Sequence, residues 1–453
     1  MRDQHQISAA PGANSEGDQT VLLSERAGQH GMRIAIATLN APKTLHALNL
    51  GMIRQLDAAL RRWALDPQIA CVVLQATGEK AFCAGGDVRS LREAILSAAQ
   101  GVSGAAFDAA LVSEPQGASI GALLNPPMDA TPETAAHSGR TLVADVPAPL
   151  AQAFFSEEYR LDYLIHTYPK PVLVWGSGIV MGGGLGLLAG ASHRVVTDST
   201  RIAMPEISIG LFPDVGASWF LPRMPGRCGL FLGLTGAPLN AQDALFTGLA
   251  DYVLAHEQQG RVLDALGEAN WRDGVGADAV LDRILCRFGT SSGRMADSAA
   301  ATDSAESKVM RHFDSIQRMT APRTLAGVMA AISAYDGASP WLQRAAQSLA
   351  AGAPSSLALV WALQVRARHL GLADVFRLEL IVALRCCQYG DFAEGVRALL
   401  VDKDNAPRWQ ACGLAHMDAV ALARWSAPFF AAPWPQHPLA GLEAARFHPA
   451  DGE

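Results

Sequence analysis

The chain has 453 residues, half of them hydrophobic and 17% charged, with a formal net charge of −7. That length allows a large core and more than one packing unit, the negative balance argues against nucleic acid or an anionic membrane as partner, and no apolar run reaches the roughly 20 residues of a membrane span. The seven cysteines, at 71, 83, 228, 286, 386, 387 and 412, have no metal-type spacing, and with no signal-peptide pattern the expectation is a cytoplasmic enzyme with reduced thiols.

Met1 to Gln19 is polar and reads as a disordered tail. Met32 to Leu39 (MRIAIATL) alternates as a strand, and Met52, Ile53, Leu56, Leu60 and Trp63 recur at helical spacing. A second strand, Ile69 to Leu74 (IACVVL), runs into Lys80 to Asp87 (KAFCAGGD), where Gly85 and Gly86 permit unusual dihedrals. Residues 101 to 150 are rich in Ala, Gly, Ser and Pro, with Arg140 their only Lys or Arg. Such a stretch reads as a surface excursion or a partly disordered lid. A helix near 154–167 follows, then a strand at 171–175 (PVLVW), the glycine run of Val180 to Leu188 (VMGGGLGLL), a helix over 184–191 and a strand over 194–197.

In Met204 to Gly216 (MPEISIGLFPDVG), two prolines and two glycines break regular structure, which predicts a shaped loop with a turn or so of helix. Beyond about residue 240 strands become scarce. Segments 260–287, 306–318, 323–334, 341–351, 355–370 and 373–388 read as helices, with Gly289 to Ser307 as a loop. The alternation followed by helix predicts an α/β class with crossover connections. It divides into a tail (1–20), an α/β core (21–255) carrying the insertion, and a helical C-terminal region (256–445).

Two strand-to-helix glycine turns offer unpaired backbone N–H groups, which suit a phosphate or a developing oxyanion. MGGGLG lacks the spacing of a dinucleotide fingerprint, so the phosphate reading is the weaker one; tight turns without function are the alternative. Glu206 and Asp214 stand in apolar surroundings, which raise a carboxyl pKa, and two acids in different settings can divide acid and base roles. The plainer possibility is that Glu206 caps a helix and Asp214 opens a turn. No G-x-S-x-G elbow is present. Cys83 has no histidine placed in sequence to activate it and reads as a packing residue.

Six segments carry a resemblance. They are LNAPKTLHALNLGMI (Leu39–Ile53), KAFCAGGDVR (Lys80–Arg89), FFSEEYRLD (Phe154–Asp162), PKPVLVWGSGIVMGGGLGL (Pro169–Leu187), MPEISIGLFPDVGASWFLPR (Met204–Arg223) and DFAEGVRALLVDKDNAPRW (Asp391–Trp409). In this order they resemble the crotonase (enoyl-CoA hydratase/isomerase) superfamily and, within it, the 3-hydroxyisobutyryl-CoA hydrolase branch. The resemblance implies a spiral of ββα repeats with C-terminal helices covering the site, from the same subunit or a neighbour in a homo-oligomer. It implies an acyl-CoA substrate, no cofactor beyond the CoA of that substrate, and a step of valine breakdown.

Carried over by position, the oxyanion-hole amides are those of Gly86 and Gly183, the catalytic acids are Glu206 and Asp214, and Glu158 accepts from the substrate's 3-hydroxyl. Glu206 is either general base or nucleophile. Apart from the resemblance, Glu157 and Glu158 read as a solvated helix face. Lys43 and Lys403 are candidates for the CoA phosphates, or ordinary surface lysines. Hydratases of the superfamily carry a second glutamate where this chain has Gly186, which favours thioester hydrolysis over alkene hydration. A hydratase or isomerase, or a non-catalytic CoA-binding protein, is the alternative. Three departures stand out: His46 for the usual asparagine, Trp219 as a residue expected to narrow the acyl pocket, and the insertion at 101–150.

Overall fold

In the computed structural model, the described residues are 19–100, 146–291, 306–410 and 413–443. The tail, most of the insertion and residues 292–305 lie outside them. Helix begins at Pro149, so the last two positions assigned to the insertion belong to the core.

Two sheets organise the first half of the chain. A seven-stranded sheet runs in the order β1 (Val21–Ala27), β2 (Arg33–Leu39), β3 (Ile69–Ala76), β5 (Val172–Gly176), β7 (His193–Val196), β9 (Tyr252–Val253) and β10 (Thr290–Ser291). Its interior pairings are parallel, and only the two edge strands β1 and β10 run antiparallel to their neighbours. A second, three-stranded parallel sheet orders β4 (Ala81–Cys83), β6 (Ile179–Met181) and β8 (Arg201–Ala203). After β1 and β2, which both join the large sheet, the pairs β3–β4, β5–β6 and β7–β8 each give the first strand to the large sheet and the second to the small one, the ββα spiral expected from the resemblance. The interior strands are continuous apolar runs, as strands buried on both faces require. The three-residue strands of the small sheet escaped the sequence reading because segments that short carry almost no periodicity, and β1 (VLLSERA), an edge strand with most residues exposed, shows no apolar alternation.

Helices close both faces of the large sheet. Helix α1 (Leu50–Leu65) is capped by the Asn49 side chain, which accepts from the Met52 amide, and it buries Met52, Ile53, Leu56, Leu60 and Trp63. The stretch read as one helix over 260–287 is two, Gln259–Glu268 and Ala277–Phe288, broken in the Gly-containing segment between them. Their Val262, Leu266, Leu281 and Leu285 pack on the far face of the sheet against Ile34, Val73, Leu173 and Trp175 as a separate core. The later helices join the larger core on the side that holds α2 (Val88–Gln100), α3 (Pro149–His166) and α4 (Gly183–Ala189).

Candidate active site

The small sheet explains why three remote segments meet. Its strands are parallel neighbours, so their C-terminal ends lie along one edge. From β4 the chain runs into Gly85–Gly86, from β6 into Gly182–Gly184, and from β8 into Glu206. Ligands of parallel sheets collect at that edge for the same reason. The approach is close: a methyl placed on Gly182 would stand 3.3 Å from Gly85 Cα and 3.4 Å from Glu206 Oε1. Gly182 itself has φ +47, a left-handed setting that admits glycine most readily. A methyl on Gly184 would lie 2.4 Å from the Cys83 carbonyl oxygen, so the start of α4 rests directly on the first turn. Among the described residues neither the Gly86 nor the Gly183 amide has a protein acceptor. Both residues line a cleft of about 570 Å³, together with Glu158, Glu206 and Asp214.

The first turn is braced from below by His46. Its Nδ1 accepts from the Ala41 amide at 2.9 Å and its Nε2 donates to the Thr77 carbonyl at 2.9 Å, which makes it a neutral strut; burial lowers its pKa accordingly. The loop it holds is laced to the turn, with the Leu48 amide on the Gly85 carbonyl and the Asp87 amide on the Leu48 carbonyl, each 2.8 Å. The departure at 46 therefore supports the first glycine turn.

The facing wall is carboxylic. Glu206 opens a short 3₁₀ turn (Glu206–Ile209) and is 5% exposed, with Oε2 unpartnered. Asp214 is equally buried and accepts from the Tyr159 hydroxyl at 2.7 Å. The Glu157–Glu158 pair splits. Glu157 forms an exposed two-pronged pair with Arg54, while Glu158 turns inward, 2% exposed, its Oε1 only 2.3 Å from where a methyl on Gly183 would sit. One turn further along α3, Asp162 is wholly buried with both oxygens unpartnered. Glu379, on the helix Leu372–Gln388, is also wholly buried and accepts from the Gly216 amide at 2.7 Å and the Ser218 amide at 2.8 Å. Among the described residues none of the five buried acids Glu158, Asp162, Glu206, Asp214 and Glu379 forms an ion pair with Lys or Arg.

Burial is therefore the leading influence on each, and every shift is upward. Glu206 and Glu158 are raised well above the carboxylate range, first by burial and then by the charge of Asp214. Asp162 is raised likewise by burial, then by Glu158 and Asp214. Asp214 reaches about 6, held back by the Tyr159 hydrogen bond. Glu379 reaches about 8, its two amide bonds opposing burial and Asp214. Burial thus sets the proton affinity of each acid in the cluster above its ordinary value.

Asp214 is followed by Val215 at φ +51, a setting that is costly for a β-branched residue. Strain of this kind costs about 1–3 kcal/mol, and two hydrogen bonds at about 0.5–1.5 kcal/mol each come to the same size. The two bonds to Glu379 are thus enough to hold the turn.

Position 186 has no room for a side chain. A methyl there would come within 2.8 Å of Val215 Cβ and 2.9 Å of both Asp162 oxygens. Trp219 does not line the cleft; its ring lies against His166, with the Arg223 guanidinium 4.3 Å above it. Lys43 is exposed at the cleft wall, while Lys403 is exposed outside it, just past the segment Arg397–Val401 whose Leu399 and Leu400 do line it. Arg89 of α2 donates to the Leu400 carbonyl of that segment, and Arg92 to the Ala393 carbonyl of the helix before it, Asp391–Val396. Cys83 is a buried free thiol, pushed up to about 12 by burial, which fits packing.

Tyr159, Asp162 and Glu379 were not singled out from sequence. Asp162 had a signal in its four-residue spacing from Glu158, and Glu379 in being a lone acid on the buried stretch of an apolar helix.

The family profile for enoyl-CoA hydratase/isomerase matches residues 34–110 and 136–425, and the chain belongs to that family, the crotonases. Among characterised relatives, the mitochondrial 3-hydroxyisobutyryl-CoA hydrolase of Danio rerio is 32% identical over 396 residues, 87% of this chain and 86% of that protein. The Homo sapiens enzyme of the same name is 30% identical over 409 residues, 88% and 86% of the two chains. The crystal structure of an enoyl-CoA hydratase from Rhodobacter sphaeroides superposes with a TM-score of 0.64 at 30% identity, covering 90% of this chain and 97% of the other. That of a carnitinyl-CoA dehydratase from Mycobacterium thermoresistibile gives 0.67 at 29%, covering 90% and 96%.

Proposed function

We propose that the chain hydrolyses a short 3-hydroxyacyl-CoA thioester, with 3-hydroxyisobutyryl-CoA the favoured substrate. The relatives divide between enzymes named for hydration or dehydration and enzymes named for thioester hydrolysis. The observation that carries the choice is position 186. Alkene hydration in this family calls for a carboxylate there, and Val215 and Asp162 fill the space a side chain would need. The carboxylates that do reach the cleft with Glu206 are Glu158 and Asp214.

The thioester oxygen lies between the Gly86 and Gly183 amides, which stabilise its growing negative charge. Glu206 either draws a proton from water as that water attacks the carbonyl carbon, or attacks it directly to give an anhydride that water opens. The carbon–sulfur bond breaks, and a proton from the acid cluster, through Asp214, neutralises the departing thiolate. Glu158 accepts from the 3-hydroxyl. Lys43 meets the CoA phosphates at the mouth, and the CoA tail supplies the binding energy that fixes the reacting carbon. Water is the only other reactant.

Free-thiol release from 3-hydroxyisobutyryl-CoA, measured beside hydration of crotonyl-CoA, tests the reading. Fast thiol release with no hydration is expected; the reverse would refute it. Multiple turnovers in ¹⁸O-water label the Glu206 side chain only on the anhydride route.

A further inference from the structure

We propose that Glu379 is a positioning residue: its carboxylate clamps the Gly216 and Ser218 amides and so holds the left-handed Val215 turn that aims Asp214 into the cleft. The inference rests on the reading of Asp214 as a working acid.

Glu379 lies 163 and 161 positions from its two donors, so nothing local to the FPDVG loop supplies this contact. Three successive amides are accounted for in one motion of the chain: that of Ala217 bonds the Asp214 carbonyl at 2.8 Å, and those on either side of it bond Glu379. The turn so closed contains Val215 at φ +51 and Gly216 at φ +88. One helical turn before Glu379, Phe376 backs the same loop, its ring edge 3.2 Å from where a methyl on Gly216 would stand.

An acid is a poor choice for packing alone. Glu379 is wholly buried beside Asp214 and Asp162, in a helix whose neighbouring residues are Leu378, Leu380 and Ile381, and any apolar residue would avoid the repulsion. What an apolar residue lacks is two acceptor oxygens. A glutamine supplies one and turns an N–H₂ towards the second amide; an aspartate falls a methylene short. The clamp also explains how a β-branched residue is tolerated at 215. Its side chain fills the space over Gly186 while the backbone strain is held elsewhere.

The test compares the full-length wild type with E379Q, V215G and E379Q/V215G. In E379Q, amide exchange over residues 214–220 is expected to quicken about tenfold or more, with the other helices unchanged. kcat for thiol release is expected to fall by about the same factor, and KM to stay within about twofold of wild type. Glycine takes a left-handed setting without strain, so V215G in the E379Q background should recover kcat relative to E379Q. Wild-type kcat in E379Q overturns the proposal. So does a loss of kcat without faster exchange at 214–220, or a loss accompanied by faster exchange throughout and a risen KM, which marks general loosening. A wild-type chain that releases thiol from no acyl-CoA removes the catalytic reading instead, and the exchange comparison still decides whether the clamp exists.

Discussion

Each glycine turn of the site is one strand end running into one helix, whereas the buried carboxyl cluster beside them is assembled from Glu158, Asp162, Glu206, Asp214 and Glu379, of which Glu158, Glu206 and Asp214 line the cleft. In the proposed reaction the first half works through backbone N–H groups. Its chemistry needs only a strand, glycines and a neighbour, and the parallel pairing of β4 with β6 sets the two turns side by side. The second half works through ionisable side chains, whose behaviour depends on what surrounds them in space. The lesson is that donors for an oxyanion are encoded locally and proton affinities are encoded at long range.

This difference can be broken or sharpened by substitution. The largest effect is expected at Glu206. Changing Glu206→Gln removes the proton acceptor or nucleophile and should lower kcat by about a thousandfold, within the range for lost acid–base catalysis. The melting temperature should stay level or rise, because a buried carboxyl with an unpartnered oxygen is replaced by a neutral group. Thiol-release kinetics and calorimetry check both.

On the backbone side, Gly183→Ala puts a methyl 2.3 Å from Glu158 Oε1 and 3.2 Å from Leu48 Cδ1. It should cost about a hundredfold in kcat/KM, on the scale of a lost oxyanion donor. Gly86→Ala meets only the edge of the Phe154 ring, at 2.8 Å, and should cost about tenfold as that ring shifts. If the two halves are distinct in kind, Gly86→Ala, which touches none of the acids, leaves the pH profile of kcat unmoved.

The acid side should behave oppositely. Tyr159→Phe deletes the side-chain donor to Asp214 and should lower kcat only about threefold to tenfold, in keeping with one hydrogen bond. That donor holds the Asp214 pKa down at about 6, and Asp214 must be protonated to neutralise the thiolate, so the alkaline limb of the profile should shift to higher pH in the variant. An unmoved limb would mean that Asp214 does not govern it.

The smallest expected effect is on stability. Asp214 is raised from its unfolded value of 3.8 to about 6, so between those two pH values the native chain binds more proton than the unfolded one. Its contribution is then fully present below pH 3.8 and is lost as pH rises through 6. Glu379 repeats this from its unfolded 4.5 to about 8. Melting temperature should decline across that window, and Asp214→Asn should flatten the lower part of the decline.

Much of the fold was legible because long interior strands and amphipathic helices carry strong periodicity, as in Ile69–Ala76 and Leu50–Leu65. The second sheet was not legible, since three residues per strand leave no pattern to read. In the site, the glycine turns, Glu206 and Asp214 showed in the sequence through their apolar, glycine-broken surroundings. Burial of Glu158 but not Glu157 could not be read from adjacent identical residues. Glu379 was hidden inside a run whose other members are core, and its partners are the backbone of a loop more than 160 residues away.

The central claim is that one thioester carbonyl sits between the Gly86 and Gly183 amides with the 206 side chain beside it. A crystal structure of the Glu206→Gln variant with 3-hydroxyisobutyryl-CoA bound tests it most directly. The account predicts the carbonyl oxygen within hydrogen-bond distance of both amides and the 3-hydroxyl on Glu158. A thioester bound with its oxygen away from either amide, or with its acyl group outside the cleft, would contradict it.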